Sequence, residues 1–405
     1  MTAALQDIVV LDLSRILAGP WSTQNLADLG ADVIKVERPG TGDDTRRWGP
    51  PFAKDADGVA GDAAYFFCCN RGKRSITLDF TVEAGRSVLL ELVKKADILV
   101  ENYKVGGLKK YGLDYETLSQ INPRLIYCSV TGFGQTGPYA TRPGYDALIQ
   151  AMGGLMSITG EADDVPGGGP QKVGVAVVDI LTGLYATSAI LAALHQRGRT
   201  GMGQHIDVSL LDVQVAMLAN QASNYLIGNQ VPGRLGSAHP SIVPYQPFAC
   251  ADGHVMLAIG NDTQFVNLCL AAGCPELASD PLFVTNAQRV LNRDALIPVL
   301  QEHMAHKTID EWCDLANKHG FPCGPINTVD RVFEDEQVKA RQIRVEIDSA
   351  RYGKVGTVAS PMRLSESPVQ YNAPPPELGQ HTEDVLSELG LDAAKIAELR
   401  ELKAI

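Results

Sequence analysis

The chain has 405 residues, 45% of them hydrophobic and 20% charged, the balance of a globular protein with roughly two or three domains. Its net charge of −12 argues against nucleic acid or an anionic membrane as the main partner, although a local basic patch could still hold a small anion. Eight cysteines without a C-x-x-C pair read as reduced thiols of a cytoplasmic protein rather than a disulfide framework. Met1 to Gln6 shows neither the basic start nor the apolar core of a signal peptide. The longest apolar run, Leu181 to Leu194, falls short of the roughly 18 residues of a membrane span.

Ile8 to Leu13 reads as a buried strand, Trp21 to Leu29 as a helix between Gly19-Pro20 and Gly30, and Asp32 to Glu37 as a second strand. This is a βαβ unit, which implies parallel pairing and a right-handed crossover. Gly40 to Val59 reads as a surface loop. Strands are expected at Ser75 to Leu78, Ile98 to Glu101, Leu125 to Val130, Gly174 to Val178 and Gln204 to Ser209. Helices are expected at Glu83 to Ala96, Tyr115 to Ile121 and Ile180 to Gln196. The alternation predicts an α/β layered fold. Beyond about residue 225 the character changes. Pro244 to Cys250 and His254 to Ile259 flank a turn and predict a hairpin. Thr308 and Glu311 have the spacing of a capping box ahead of Trp312 to Lys318. Residues 230–325 are therefore read as a smaller α+β domain. Val345 to Val358 predicts a second hairpin, Pro374 to Pro376 a stiff connector, and Thr382 to Leu389 and Ala393 to Leu402 two closing helices.

Several chemistries lack their signatures. The first βα turn, Asp12 to Pro20, is not G-x-G-x-x-G, which disfavours a nicotinamide or flavin cofactor. No Walker A sequence and no G-x-S-x-G elbow occur. His303 and His306 have no further ligands near them in sequence, so no metal is expected. The stretch Asn70 to Ser75 concentrates Arg71, Lys73 and Arg74. It reads either as a solvated turn or as a phosphate clamp at the carboxyl end of the sheet, together with Arg38, Arg46 and Arg47. Asp179 follows the apolar run Val175 to Val178 and precedes a helix. Its position suits a helix N-cap, and it also suits a nucleophilic carboxylate in a poorly solvated pocket.

In order along the chain, Val10 to Arg15, Ala18-Gly19-Pro20, Ala31 to Gly40, Gly42 to Arg46, Lys73 to Ile76, Val100 to Tyr103, Gly144-Tyr145-Asp146, Val178-Asp179, Gly203 to Val208 and Gly379 to Thr382 resemble the class III CoA-transferases, the CaiB/BaiF-like family. Ala238 to Gln246 resembles its succinyl-CoA-dependent dicarboxylate branch, which includes succinate–hydroxymethylglutarate CoA-transferases. The resemblance implies an interlocked homodimer in which each chain has a Rossmann-like large domain with a parallel sheet and a small domain. The large domain would span 1–200 with 345–405 returning to it, and 201–229 and 326–344 would be linkers. It implies Asp179 as nucleophile and a CoA site on Arg38, Leu78, Phe80, Asn102 and Lys110 with Tyr145 nearby, Leu78 and Phe80 sandwiching the adenine. The coenzyme A thioester would be a substrate, and no cofactor would be bound permanently. A second carboxylate on the acceptor acid needs a fixed cation or donors, because burying it unpaired is costly; Arg15, Arg46 and His239 are the candidates.

The expected partners are thus acyl-CoA and carboxylic acids, with no nucleic acid and no membrane. Leu17 stands where the formyl-CoA branch has Gln, which weighs against oxalate or formate. Tyr145 stands where the racemase branch has His, so a two-base proton transfer at an α-carbon would lack one partner. The alternatives are an α-methylacyl-CoA racemase of the same fold and a non-catalytic acyl-CoA binding protein.

Overall fold

The computed structural model describes residues 2–371 and 373–405. In chain order the first part forms β1 (Val9–Asp12), α1 (Ala18–Asp28), β2 (Asp32–Glu37), β3 (Phe52–Lys54), β4 (Ala60–Ala63), α2 (Ala64–Phe67), β5 (Lys73–Thr77), α3 (Glu83–Lys95), β6 (Ile98–Glu101), α4 (Tyr115–Ile121), β7 (Ile126–Thr131), α5 (Asp146–Met152), α6 (Leu155–Ile158), α7 (Val177–Thr200), β8 (His205–Ser209), α8 (Leu210–Met217) and α9 (Ala219–Gly228). The remainder forms β9 (Tyr245–Ala249), β10 (His254–Ala258), α10 (Asp262–Ala272), α11 (Asn286–Leu291), α12 (Arg293–Met304), α13 (Ile309–His319), β11 (Cys323–Pro325), α14 (Val329–Glu334), α15 (Glu336–Ala340), β12 (Arg344–Ser349), β13 (Gly353–Val358), α16 (Thr382–Glu388) and α17 (Ala393–Glu401). Two compact units result. One comprises 1–155, 173–223 and 337–405; the other comprises 156–172 and 224–336.

The large unit is built on a six-stranded parallel sheet in the order β5-β2-β1-β6-β7-β8. This is the Rossmann order, with the reversal between β1 and β6. Strands such as Val9-Val10-Leu11 and Ile98-Leu99-Val100 are apolar on both faces because both faces are covered. Val10, Val33, Ile98 and Val100 pack toward α1 and α7, and Leu11, Ile34, Val36 and Leu99 pack toward α3. The expected α/β fold with a Rossmann-like large domain is therefore present.

Three local expectations need correction. The run from Val175 is not a strand: helix α7 begins at Val177, two residues before Asp179. The stretch 201–229, expected as a linker, contributes β8, the sixth sheet strand, and then α8 and α9; 326–344 carries α14 and α15. Helix α7 is also longer than Leu181 to Leu194 suggested, and by length and composition it could cross a membrane. In the large unit it instead buries Val178, Thr182, Ala186, Ile190 and Ala193, and Arg197 near its end pairs with Asp97 at 2.8 Å.

Beneath the ends of β1, β2 and β5 lies a buried ionic network. Lys73 Nζ is 2.9 Å from Asp12, Lys35 Nζ is 3.0 Å from Asp43, and Arg46 forks onto both oxygens of Glu37. Burial pushes the Asp12 carboxyl up, but Lys73, Lys35 and the Ser14 and Thr23 hydroxyls outweigh it and hold it at about 2.

The smaller unit contains the antiparallel sheet β11-β10-β9, with the hairpin read from the sequence. Trp312 is fully buried in its core and donates its indole N–H to the Met304 carbonyl at 2.9 Å. Arg289 is fully buried as well, shared among the Val243 and Phe283 carbonyls and Asp262. The Thr308–Glu311 capping box starts α13 as its spacing indicates.

Candidate active site

Ligands of open parallel sheets bind outside the carboxyl ends of the strands, at the point where the order reverses. Here that point lies between β1 and β6. Asp12, the last residue of β1, folds the following turn onto itself by accepting from Ser14 N at 3.0 Å and from Thr23 Oγ1 at 2.6 Å. The turn holds Ile16 at φ 74°, a left-handed conformation that a β-branched residue adopts only where its surroundings impose it. Just past β6, Asn102 Oδ1 accepts from Arg15 N at 2.9 Å, and Asn102 Nδ2 donates to the Arg15 carbonyl at 2.7 Å. One side chain thus ties the two loops together.

An aromatic and cationic strip continues from this junction. The Arg15 guanidinium lies 5.8 Å from the Tyr103 ring centre. Phe80 meets Tyr103 and Tyr111 edge to face, both at 5.7 Å, and Lys110 Nζ lies 4.7 Å from the Tyr111 ring. Arg38 is exposed directly after β2. A strip with ring faces and cations suits a purine with phosphates. The sequence singled out Arg15, Asn102, Phe80 and Lys110, and the structure brings them together. It does not leave Leu78 available: that side chain is 2% exposed and sits in the core. Tyr103 and Tyr111 were missed as individual residues, since isolated tyrosines carry no signal until the fold gathers them.

The second cluster is at the start of α7. Gly132, just past β7, and Gly144 approach so closely that a Cβ on either would lie within 2.6 Å of the other's backbone. This contact docks the loop that leads into α5. Tyr145 at its end is 65% exposed, and Asp146 opens the helix. Asp146 Oδ2 accepts from Val178 N at 2.8 Å and Asp179 N at 3.3 Å, and its Oδ1 accepts from Gln150 Nε2 at 2.6 Å. Asp179 is therefore not the helix cap. It stands in the first turn, and among the described residues its carboxylate has no hydrogen bond and no ion pair. Burial first, and then the Asp146 charge, push it up to about 7. Tyr65 shares this space: burial first, and then the Asp179 charge, raise its phenol. An undersolvated carboxylate without a cation is a strong base and a competent nucleophile near neutral pH.

Other candidates turn out to be structural. Arg46 is buried: its Nε and Nη2 bond Glu37, its Nη1 bonds Asp62, and the Pro376 carbonyl accepts from both terminal nitrogens, so no donor remains for a substrate. Arg71 pairs with Asp28, Lys73 with Asp12 and Arg74 with Asp32 and Glu388; Asn70 to Ser75 is neither a solvated turn nor a phosphate clamp. Arg15 keeps one exposed pair with Asp44 at 2.8 Å. In the smaller unit, His239 Nδ1 accepts from Ser241 N at 3.0 Å and its ring lies 5.3 Å from Tyr245. Burial first, and then Arg293, lower its titration, which favours the neutral ring over a cation for a carboxylate. Among the described residues no three or more His, Cys, Asp or Glu gather as a metal site would require.

Comparison with known proteins shows the family. The family model described as CoA-transferase family III matches residues 5–382. A succinate–glutarate CoA-transferase of Agrobacterium fabrum is 49% identical over 95% of this chain and 95% of its own length. The human succinyl-CoA:glutarate CoA-transferase is 44% identical over 98% of this chain and 88% of its own. The crystal structure of a CaiB/BaiF family protein from Brucella suis superimposes with a TM-score of 0.85 at 51% identity, covering 96% of this chain and all of that one. The chain belongs to CoA-transferase family III and is a CoA-transferase.

Proposed function

We propose that the enzyme moves CoA from succinyl-CoA to a free dicarboxylic acid, glutarate first among the acceptors, through covalent intermediates on Asp179. The observation that carries this reading is the unpaired carboxylate of Asp179, raised to about 7 beside Asp146. The names of the relatives support the choice of donor and acceptor. A free carboxylate is a poor electrophile, and covalent catalysis divides its activation into easier exchanges. An Asp179 oxygen attacks the thioester carbonyl; the C–S bond breaks, CoA leaves as thiolate, and a mixed succinyl–aspartyl anhydride forms. The thiolate attacks the aspartyl carbonyl and expels succinate, leaving an aspartyl–CoA thioester. The acceptor carboxylate attacks that carbonyl and expels the thiolate again. Attack of the thiolate on the acceptor's side of the second anhydride releases the new acyl-CoA and restores Asp179. No proton is consumed.

In this reading Phe80, Tyr103 and Tyr111 receive the adenine, while Arg15, Arg38 and Lys110 meet the phosphates. The exposed apolar residues Leu184 and Tyr185 on α7 and Leu226 and Ile227 on α9 support a homodimer, to be checked by light scattering at assay concentration. The eight free cysteines support a cytoplasmic location. Substrates of the enzyme are then acyl-CoA and carboxylic acids, with no permanent cofactor, nucleic acid or membrane.

The test is an assay with succinyl-CoA and a panel of acids. Glutaryl-CoA and free succinate should appear together, monocarboxylates of similar length should react poorly, and hydroxylamine added during turnover should convert Asp179 to a hydroxamate visible by peptide mass. Full exchange activity in Asp179→Ala would place the nucleophile elsewhere.

A further inference from the structure

The residue before α7 is Ala176, whose methyl group cannot cap the helix. The missing cap comes from a helix 30 residues earlier in the chain. Asp146 Oδ2 takes the N–H groups of both Val178 and Asp179, its Oδ1 takes Gln150 Nε2 at 2.6 Å, and Gln150 Oε1 takes Val173 N at 2.9 Å. Gln150 is fully buried, and both its amide atoms are used. The residues stand one turn apart on α5, so one rigid face fixes the start of α7 and the strand of chain that enters it.

This arrangement has two consequences for Asp179. Its own peptide N–H is anchored, which sets where the carboxylate starts. The positive end of the α7 dipole, which would otherwise stabilise the Asp179 anion and blunt it, faces the Asp146 charge instead. We propose that Asp146 and Gln150 are positioning residues for transfer: they hold the nucleophile's peptide in place and withhold the helix-end charge from its carboxylate. The proposal rests on the reading of Asp179 as nucleophile. The titratable groups facing Asp179 are Asp146 from α5 and Tyr65 from α2, with Cys68 and Cys69 beyond Tyr65.

The experiment compares three variants in the full-length protein with succinyl-CoA and glutarate. Asp146→Asn keeps the shape but removes the charge, and its amide cannot serve the helix N–H groups and Gln150 Nε2 together. Asp146→Asn combined with Gln150→Glu restores every donor to an acceptor while moving the charge one turn away. Asp179→Ala is the control for the underlying reading. Asp146→Asn should lower kcat about a hundredfold with the KM for succinyl-CoA within about threefold, and should move the acid limb of the kcat profile to lower pH. The paired variant should recover at least about tenfold of kcat while keeping the displaced limb, which a purely structural role would not do. An unchanged limb in Asp146→Asn, or in the paired variant if the single one does not fold, overturns the inference. Failure of both to fold assigns the residues to structure alone and overturns it too. Loss of transfer in Asp179→Ala with no effect at Asp146 leaves the nucleophile standing and removes only this inference; retained transfer in Asp179→Ala removes the reading beneath it.

Discussion

The ends of β1, β2 and β5 and the start of α7 are both rich in carboxylates, and they treat them oppositely. At the strand ends each buried carboxylate has its cation: Asp12 has Lys73, Asp43 has Lys35, and Glu37 has Arg46. At the helix start Asp146 takes the backbone donors, and among the described residues the Asp179 carboxylate has neither donor nor cation. The first set is charged and satisfied, with Asp12 held at about 2; the second leaves Asp179 raised to about 7. The difference teaches that the number of acidic residues in a region says little. What counts is whether the fold delivers a counter-charge to each of them.

The largest expected effect comes from removing the unpaired carboxylate. Asp179→Ala should reduce CoA exchange by at least about 10⁴-fold while still binding CoA, as steady-state assay and calorimetry would show. Conversely, unpairing a carboxylate at the strand ends should cost stability. Lys73→Met leaves Asp12 buried without its nearest cation and should lower unfolding free energy by about 3–5 kcal/mol in denaturant titration. Lys73→Met together with Asp12→Asn should recover most of that loss.

The helix start should gain stability from removal of the Asp179 charge. A carboxyl raised from about 4 in the unfolded chain to about 7 in the folded one destabilises the fold above pH 7 and has no such effect below pH 4. Asp179→Asn should therefore raise stability by about 1–3 kcal/mol at pH 8, the full shift being discounted because the group is partly exposed, and the gain should vanish by pH 4. Equal melting differences at both pH values would contradict the assignment. A parallel case is Glu101, buried at the end of β6 and pushed up to about 7 by burial. Glu101→Gln should stabilise at pH 8 more than at pH 5. The smallest effect concerns the ligand strip: Phe80→Ala should raise the KM for succinyl-CoA about three- to tenfold with kcat little changed. A larger fall in kcat than in affinity would place Phe80 closer to the chemistry than the adenine.

Local signals were legible in the sequence. The strands Asp32–Glu37 and Ile98–Glu101 and the helix Tyr115–Ile121 are legible with their observed limits: Ile98-Leu99-Val100 is a continuous apolar run, as a doubly covered strand should be, and Asp114 caps α4. The run before Asp179 was misread, since a short apolar stretch has no period that separates strand from helix. Its cap, Asp146, is too far away in sequence to be seen as one. The nucleophile role proposed for Asp179 comes from resemblance to a family; its spacing alone favours a cap.

The sequence by itself determined the α/β alternation, the hairpin and capping box of the smaller unit, and the family. These depend on side chains within a few residues of one another, or on motifs preserved in order. Only the tertiary structure decided which charges are functional. Arg46, Arg71 and Lys73 looked available for phosphates and are neutralised by Glu37, Asp28 and Asp12, while Asp179 looked satisfied as a cap and is not. The physical reason is that desolvation and Coulomb energy depend on distances in space, and the partners that set them come from strands and helices far apart in the chain.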